Sequence, residues 1–311
     1  MTFTADTRGI HTPVAIGQIL HRHVGQPFHD RANSHRLNHA WVQQVKNQHS
    51  SYHRKTLLEQ GTADFTRTTY GLTPDDKALL YSYYYLQRHL ASGIFVLQSW
   101  ERQMDQSLPW FNRHSAIIDL GCGPMTFGLA LRAHQLLKGR GLQGMQYIGI
   151  DRAESMIRKA SAIATDLQQC SSAPTFLFGQ NFQEIHSHLR RLDGVVQSRG
   201  TGWLVFSSSY LFASPTLDVS SLFEEIHNVL QRHPDHNWCF IQQNPPVSYL
   251  NHKWHQFCNL LDQHYPDFRT QASEISIPYA EYSLEPETIG QLVPKTSIKL
   301  SYEILTREVT P

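Results

Sequence analysis

The sequence has little net charge, no long apolar run and no closely spaced cysteines. Its 27 basic and 26 acidic residues leave a formal charge of +1, so the whole chain is not drawn to a phosphate backbone, although a local basic patch would still be compatible with nucleic acid. No segment approaches the roughly 18 consecutive apolar residues of a membrane helix. The N-terminus lacks the cationic start and apolar run of a secretory signal. We therefore expect no membrane association.

The cysteines and histidines give no sign of a metal or redox centre. The four cysteines are Cys122, Cys170, Cys239 and Cys258. None forms a Cys-x-x-Cys pair, so a structural zinc or a dithiol redox motif is not expected. Because a disulfide framework is also missing, a reducing cytoplasm is the expected compartment. The 19 histidines include close pairs, but these lack a carboxylate or thiolate at a recognisable spacing, and we predict no metal site.

The chain divides into a helical part and an alternating part. In the first part, spaced apolar residues predict amphipathic helices, and Thr73 followed by Pro74 predicts the start of a long apolar helix that runs to Met104. In the second part, short apolar runs alternate with helical patterns, which is typical of βαβ units. The sequence therefore predicts a helical cap and substrate region over 1–112 and a Rossmann-like domain over 113–311.

The predicted sheet of the second part is α/β, doubly wound and mostly parallel. Five apolar runs predict strands, and they begin near residues 116, 145, 174, 203 and 238. Two later runs, ASEISIPY and SIKLSYEILT, bring the number of strands to seven. We expect these two runs to close the sheet with an antiparallel edge strand.

The most informative stretch is IIDLGCGPMTFGLAL, in which a buried strand ends in Asp119 and a glycine turn opens a helix. In a doubly wound sheet the cofactor lies across the carboxyl ends of the strands, beside this first turn. Gly121 and Gly123 allow the backbone to approach a ligand closely. The pattern is not Gly-x-Gly-x-x-Gly, and Asp119 would repel a pyrophosphate but suits a ligand with an amine. The next strand ends in Asp151, where an acid can accept both hydroxyls of a ribose.

With Asp-Leu-Gly-Cys-Gly-Pro at 119–124 and Gly-Ile-Asp at 149–151, the sequence resembles the class I S-adenosylmethionine-dependent methyltransferases. The resemblance covers about residues 113–310 and implies S-adenosyl-L-methionine as the cofactor. The glycine turn would hold its methionine part, Asp151 its ribose and Asn181 its adenine amine. The implied cofactor contacts are Asp119, Gly121, Cys122, Gly123, Asp151, Arg152, Met156, Asn181 and Ser207. Two alternatives stay open: the glycines only turn the chain, or the cofactor is a nicotinamide dinucleotide.

The catalytic candidates follow the fourth and fifth predicted strands. Amino-methyltransferases of the Asn-Pro-Pro-aromatic kind carry that motif after the fourth strand, whereas Asn-Pro-Pro at 244–246 follows the fifth. The prolines therefore favour a simple strand end, and Asn244 stays an alternative catalytic candidate. The fourth strand ends near Ser209 and Tyr210, whose hydroxyls can position an acceptor. His252 is a candidate for accepting a proton.

The sequence predicts a methyltransferase acting on N or O of a small molecule, because the charge is near neutral and the helical part carries an aromatic run from Tyr81 to Tyr85. RNA or a ribonucleoprotein is the alternative acceptor, supported if four basic residues share one face: Arg54, Lys55, Arg67 and Arg88. The segment SSSYLFASPTLDVSSLFEEIHNVL is similar, more weakly, to methyltransferase-like proteins of the small ribosomal subunit, whose cysteine cluster is missing here. A third hypothesis is a cofactor-binding protein that acts in assembly or regulation without catalysis. The oligomeric state is left open.

Overall fold

The computed structural model describes residues 10–33, 39–104, 115–140, 146–168, 175–186 and 202–309, and the predicted boundary at 112/113 lies outside them. Within the described residues, one sheet has the strand order β1-β7-β8-β6-β5-β2-β3-β4. The strands are β1 (Ile10–His11), β2 (Ala116–Leu120), β3 (Gln146–Ile150), β4 (Thr175–Gly179), β5 (Trp203–Ser209), β6 (Asn237–Asn244), β7 (Arg269–Tyr282) and β8 (Leu292–Arg307).

The sheet is mostly parallel, as expected. Every neighbouring pair of strands is parallel except the two pairs that β8 makes with β6 and β7. Two details of the expectation are wrong. The described sheet has eight strands rather than seven, because the two-residue β1 pairs with the outer edge of β7. The antiparallel strand is interior: a short connection joins antiparallel neighbours, so β7 and β8 pair directly, and β8 then fills the place beside β6.

Helices lie on both faces of the sheet, and four of them continue into a π-helical turn. Among the described residues they are α1 (Val14–Leu20), α2 (Gln26–Asn33), α3 (His39–Trp41), α4 (Ser50–Tyr52), α5 (Pro74–Tyr81), α6 (Gln87–Met104), α7 (Thr126–Leu137), α8 (Glu154–Gln168), α9 (182–186), α10 (Val219–Arg232) and α11 (Ser248–His264). The π-helical turns are His21–Gly25, Val42–Lys46, His53–Leu57 and Ser82–Leu86.

The long helix predicted to end at Met104 is confirmed as α5, the turn Ser82–Leu86 and α6 in succession. Its first residue is fixed by a capping box. The Thr73 hydroxyl accepts from the Asp76 N–H at 3.2 Å, and the Asp76 carboxylate accepts from the Thr73 N–H at 2.9 Å. These bonds satisfy donors that the first helical turn would otherwise leave unpaired.

The core has two layers because successive residues of a strand point to opposite faces of the sheet. Ile117 of β2 belongs to a cluster with α6, α7 and α8, whereas Ile118 belongs to a cluster with α9, α10 and α11. Both faces of the central strands are therefore covered, which explains why their sequences are apolar without alternation. The carboxyl ends of β2, β3, β4 and β5 meet at one edge of the sheet.

The N-terminal helices share the core of the sheet rather than standing apart from it. Ile16, Leu20, Trp41 and Leu58 are at most 1% exposed and lie in the same cluster as Ile117. The pairing of Ile10 with Tyr279 adds the beginning of the described chain to the sheet itself. The N-terminal region thus covers one face of the sheet and also supplies part of its interior.

Candidate cofactor site

The glycine turn after β2 is held against the end of β3 by two backbone donors. The Cys122 N–H donates to the carbonyl of Ile150 at 3.0 Å, and the Gly123 N–H donates to Asp151 Oδ2 at 3.0 Å. Gly121 and Gly123 have φ angles of 63° and 52°, in the left-handed region that favours glycine. The local sequence therefore bends the chain here in a way that other residues would resist.

Asp151 is the acid that faces the open side of this turn. Its Oδ1 accepts from the Ala153 N–H at 2.9 Å, so each carboxylate oxygen has one backbone donor. Burial raises the pKa of Asp151 above its ordinary value, while the backbone donors and Arg152 act to lower it. Each oxygen keeps a lone pair for a further donor.

A cavity of about 390 Å³ lies at the carboxyl ends of β2, β3 and β5. It is lined by three groups of residues: the N-terminal segment, the strand ends with their turns, and the loop that leads into α10. They are Gly61, Thr62, Ala63, Phe65 and Tyr81; Leu120, Gly121, Gly123, Ile150, Asp151, Arg152, Met156, Gln180, Asn181 and Phe182; and Ser209, Tyr210, Leu211, Ser214, Thr216, Leu217, Asp218, Leu222 and Glu225.

Eight of the residues predicted from the sequence are brought together in this wall. They are Gly121, Gly123, Asp151, Arg152, Met156, Asn181, Ser209 and Tyr210. The other five predicted site residues are not among those that line it: Asp119, Cys122, Ser207, Asn244 and His252.

Asp119 and Ser207 lie behind the turn, contrary to the expectation that they contact the cofactor. The Ser207 hydroxyl donates to Asp119 Oδ1 at 2.7 Å, and the Tyr147 hydroxyl donates to Oδ2. Burial raises the pKa of Asp119 to about 7, against the lowering effect of these two donors. The carboxyl group therefore cross-links β2 to its neighbours β3 and β5.

Cys122 also points into the protein. Its thiol packs over Gly149 of β3, where an added Cβ would lie 3.0 Å from Sγ. Burial raises the pKa of this thiol well above its ordinary value, so it stays protonated. Of the Gly-Cys-Gly turn, only the two glycines reach the cavity.

The Asn-Pro-Pro motif forms a strand end and not part of the cavity wall. Asn244 is fully buried, and its Nδ2 donates to the Leu250 carbonyl at 3.1 Å and to Asn251 Oδ1 at 3.0 Å. Asn251 in turn donates to the carbonyl of Pro245 at 3.0 Å. These bonds fasten the end of β6 to the start of α11, which is why Asn244 does not face the cavity.

His252 is on the exposed side of α11, where its Nδ1 donates to the Tyr249 carbonyl at 2.7 Å. The expectation that it lies at the reacting centre is therefore not met. The helix bearing it contributes in another way, through Lys253. The Lys253 ammonium donates to the carbonyls of Ser214 and Leu217, both at 2.8 Å, and so holds the loop that lines the cavity.

Asn181 lines the cavity, but most of its amide is already engaged. Its Oδ1 accepts from the Glu184 N–H at 3.0 Å, and its Nδ2 donates to Glu184 Oε1 at 3.1 Å. Asn181 thus caps α9 in the manner of an N-terminal helix cap. One lone pair of its oxygen is left for a ligand.

The sequence interpretation missed the cover that residues 61–65 place over the cavity. Ser155 of α8 donates to the Phe65 carbonyl at 3.0 Å. Lys77, only 1% exposed, donates to the carbonyl of Asp64 and to Thr69 Oγ1. The segment has no motif that predicts such a position. Tyr81, the one neighbour that was singled out from the sequence, does line the cavity.

An aromatic stack stands behind Tyr210 at the end of β5. Tyr210 has a φ of 65°, and its ring lies 3.8 Å from that of His89, centroid to centroid. The hydroxyls of Tyr210 and Ser92 are 3.3 Å apart, and the Tyr81 hydroxyl is 3.2 Å from His89 Nδ1. Burial, with a contribution from Arg88, lowers the pKa of His89 to about 3, so its imidazole is neutral.

Comparison with solved structures finds likeness to methyltransferases. A protein assigned to the class I S-adenosylmethionine-dependent methyltransferases, from Listeria monocytogenes, gives a TM-score of 0.42 at 12% identity over 96% of this chain and 89% of its own. Magnesium protoporphyrin IX methyltransferase from Synechocystis, with bound S-adenosylhomocysteine, gives 0.35 at 12% over 72% and 88%. An O-methyltransferase involved in tomaymycin synthesis in Streptomyces achromogenes, in complex with S-adenosylmethionine, gives 0.34 at 10% over 70% and 90%.

These structures belong to the class that the sequence resembles, but their TM-scores are too low to bear on activity or substrate. No protein-family profile matches the chain, and no curated protein matches it. The weaker similarity to small-ribosomal-subunit proteins stays a prediction.

No described helix is both long and apolar enough to cross a bilayer. In the same part of the chain, no three or more His, Cys, Asp or Glu side chains are grouped so that they could hold a metal ion.

Proposed function

We propose that the protein is an S-adenosylmethionine-dependent methyltransferase. The observation that carries the proposal is the position of Asp151, which directly follows β3, lines the cavity and accepts a hydrogen bond from the Gly123 N–H of the glycine turn at 3.0 Å. One backbone donor on each oxygen holds the carboxylate in place. Its remaining lone pairs can accept the two hydroxyls of a ribose.

The cavity fits an adenosine with an attached chain. Its volume of about 390 Å³ is in the range of small-molecule sites. A Cβ added to Gly123 would meet no protein atom within 4 Å, so this backbone borders free space that a side chain would fill. Leu120, Ile150 and Met156 provide apolar surface for a purine ring.

The charge of the wall favours a cationic ligand over a dinucleotide. The lining residues include three acids, Asp151, Asp218 and Glu225, and one base, Arg152. A pyrophosphate would bring further negative charge to this surface, whereas S-adenosylmethionine carries a sulfonium and an amine. We therefore prefer the methyltransferase hypothesis to the nicotinamide hypothesis.

When bound, S-adenosylmethionine supplies a methyl group on a positively charged sulfur. The contribution of the chain is to orient the partners and to keep water out. Ser209 and Tyr210, at the end of β5, offer hydroxyls that can orient an acceptor, while Phe65 and Tyr81 close the cavity from the N-terminal side. We propose a small-molecule acceptor, methylated at N or O, because the surroundings of Tyr210 are aromatic and buried.

Calorimetric titration with S-adenosylhomocysteine tests the cofactor assignment. Asp151→Ala removes two hydrogen bonds to a charged group, and we expect a loss of about 1.5–3 kcal/mol in binding free energy. Asp235→Ala, at an exposed acid outside the cavity, is the control and should bind like the unaltered protein. Equal affinity of the folded Asp151→Ala variant, or tighter binding of NADH than of S-adenosylhomocysteine, would remove the assignment.

Turnover is tested with S-adenosylmethionine labelled in its methyl group, offered with a small-molecule extract of cells or with total RNA. We expect the label to pass into the low-molecular-weight fraction. Label in RNA alone would replace the acceptor hypothesis. Firm cofactor binding with label in neither fraction would favour the non-catalytic hypothesis.

A further inference from the structure

A second cavity, of about 630 Å³, lies between the α5–α6 helix and the β7–β8 pair. Three consecutive tyrosines, Tyr83, Tyr84 and Tyr85, line it. All three belong to the π-helical turn Ser82–Leu86. A π turn has more residues per turn than an α-helix, so successive side chains diverge less, and three in a row can face one space.

One layer of rings separates this cavity from the cofactor cavity. Tyr210 lines the cofactor cavity, and its ring stacks on that of His89 with the centroids 3.8 Å apart. The His89 ring stacks in turn on that of Tyr85, with the centroids 5.9 Å apart. Tyr85 lines the second cavity. The rings of Tyr81, which lines the cofactor cavity, and Tyr85 also lie close together, with their centroids 5.3 Å apart. The two spaces therefore adjoin across the end of β5.

The second cavity has two arginines whose guanidinium groups form no ion pair or hydrogen bond within the described part of the chain, Arg54 and Arg88. Arg54 lies over the ring of Tyr84, with Cζ 5.7 Å from the centroid. The acids of the wall are engaged: Glu281 pairs with Lys295 at 3.3 Å, and Glu285 accepts from the Tyr83 hydroxyl. The wall has three bases, Arg54, Arg88 and Lys295, and two acids, Glu281 and Glu285, so a net charge of +1 is left in an aromatic cavity.

The three tyrosine hydroxyls of the cavity differ in their partners. The Tyr83 hydroxyl donates to Glu285, and the Tyr84 hydroxyl lies 2.6 Å from His53 Nδ1. The Tyr85 hydroxyl has no such partner among the described residues. Burial raises the pKa of Tyr85, and both Arg54 and Arg88 act to lower it.

We propose that the second cavity binds a small planar molecule whose carboxylate or phosphate is held by Arg54 and Arg88. Tyrosine rings bind planar molecules through their faces, and guanidinium groups pair with anionic oxygens in two-pronged geometry.

Fluorescence titration with 2-naphthoate, 2-naphthyl phosphate and the neutral 2-naphthamide tests the binding site. We expect at least one of the anions to bind at least tenfold more tightly than the amide, and the tighter anion identifies the group. Arg54→Ala and Arg88→Ala should each weaken that anion at least tenfold and leave the amide unchanged. Arg102→Ala, on the same helix as Arg88 but outside both cavities, is the matched control and should bind all three probes normally.

Three results would overturn the proposal. The first is equal affinity for the anions and the amide. The second is anion affinity that neither arginine variant alters in a folded protein. The third is binding of a single-stranded RNA oligonucleotide that Lys55→Ala, outside the cavity, weakens as much as Arg88→Ala does, because an extended basic face would then be the binding surface.

Titration of the same proteins with S-adenosylhomocysteine separates this proposal from the proposed function. Normal S-adenosylhomocysteine binding in Arg88→Ala with loss of the anion supports an anion site distinct from the cofactor site. Arginine-dependent anion binding in a protein that does not bind S-adenosylhomocysteine would keep the anion site and overturn only the proposed function.

Discussion

The Gly123 N–H donates to Asp151 Oδ2 at 3.0 Å, so the turn after the first long strand and the acid after the second are one hydrogen-bonded unit. The two residues are 28 positions apart and meet because β2 and β3 pair in parallel from Ala116 with Gln146 to Leu120 with Ile150. The ligand-facing backbone and the ligand-facing carboxylate therefore keep a fixed separation. A disturbance of either one is passed to the other.

The Gly123→Val substitution is expected to abolish S-adenosylhomocysteine binding in a folded protein. Its Cβ would enter space that holds no protein atom within 4 Å. The substitution should therefore obstruct ligand binding and leave the packing of the core unchanged. The positive φ adds a strain of about 1–2 kcal/mol. Gly139→Val carries the same strain, with a φ of 65° and equally open surroundings, but is outside the cavity. Thermal shifts with and without ligand check this: full ligand stabilisation of Gly123→Val would contradict it.

Asn244→Ala should destabilise the fold and leave cofactor affinity intact. The variant loses the donors to Leu250 and Asn251 at the end of β6, and we expect about 1–3 kcal/mol off the free energy of unfolding. Denaturant titration and calorimetry measure the two quantities. Unchanged stability together with lost methyl transfer would instead restore Asn244 as a catalytic residue.

The stability of the protein should fall as pH rises from acid to neutral, through Asp119. At low pH the carboxyl is protonated in both the folded and the unfolded chain. Above about pH 4 the unfolded chain releases the proton, while the fold retains it up to a pKa of about 7, so the free energy of unfolding decreases over this window. At about 1.4 kcal/mol per unit, the decrease is about 2–4 kcal/mol.

Asp119→Asn should remove that part of the pH dependence and be more stable than the unaltered protein at pH 8. Asn cannot ionise, and of the Ser207 and Tyr147 hydroxyls that now donate to the carboxylate, one can go on donating to the amide oxygen while the other turns to accept from the amide nitrogen. Asp235→Asn, at an exposed position, controls for the loss of a surface charge. The measurement is the free energy of unfolding from denaturant curves between pH 4 and pH 8. If this free energy depends on pH in the same way in Asp119→Asn and in the unaltered protein, Asp119 is not the source of the pH dependence.

A protein without residues 1–70 should fail to fold, because those residues supply part of the core. Trp41→Ala alone is expected to cost about 3–5 kcal/mol, the usual range for a large buried aromatic. Val14→Ala, at a side chain 62% exposed in α1, is the matched control and should change stability by less than about 0.5 kcal/mol. Cooperative unfolding of the truncated protein would show that the N-terminal helices are dispensable after all.

The sheet and the glycine turn could be predicted because their signals are local. A buried strand, an acid and a left-handed turn follow one another between Ile117 and Gly123, and the alternation of strands and helices predicts the parallel sheet. The role of the prolines after β6 is local too, since Asn244 finds its partners within seven residues.

The remaining features depend on contacts between distant parts of the chain. Asp119 does not line the cavity because its carboxylate accepts a hydrogen bond from the hydroxyl of Tyr147, on the neighbouring strand β3. The cover over the cavity exists because Ser155 of α8 binds the backbone of Phe65. A two-residue strand such as β1 has too few residues to show a period. Such features need the packed structure.

The interior position of β8 has a consequence for biosynthesis. β6 lies beside β5 and β8, and β8 is completed only at Arg307. Until that residue has left the ribosome, β6 keeps an unpaired edge. Unpaired strand edges are sites of aggregation and of intermolecular pairing. A messenger RNA truncated before the codons of β8 would therefore yield a product in which β6 has an unpaired edge. Such a product would be a target for chaperones and proteases.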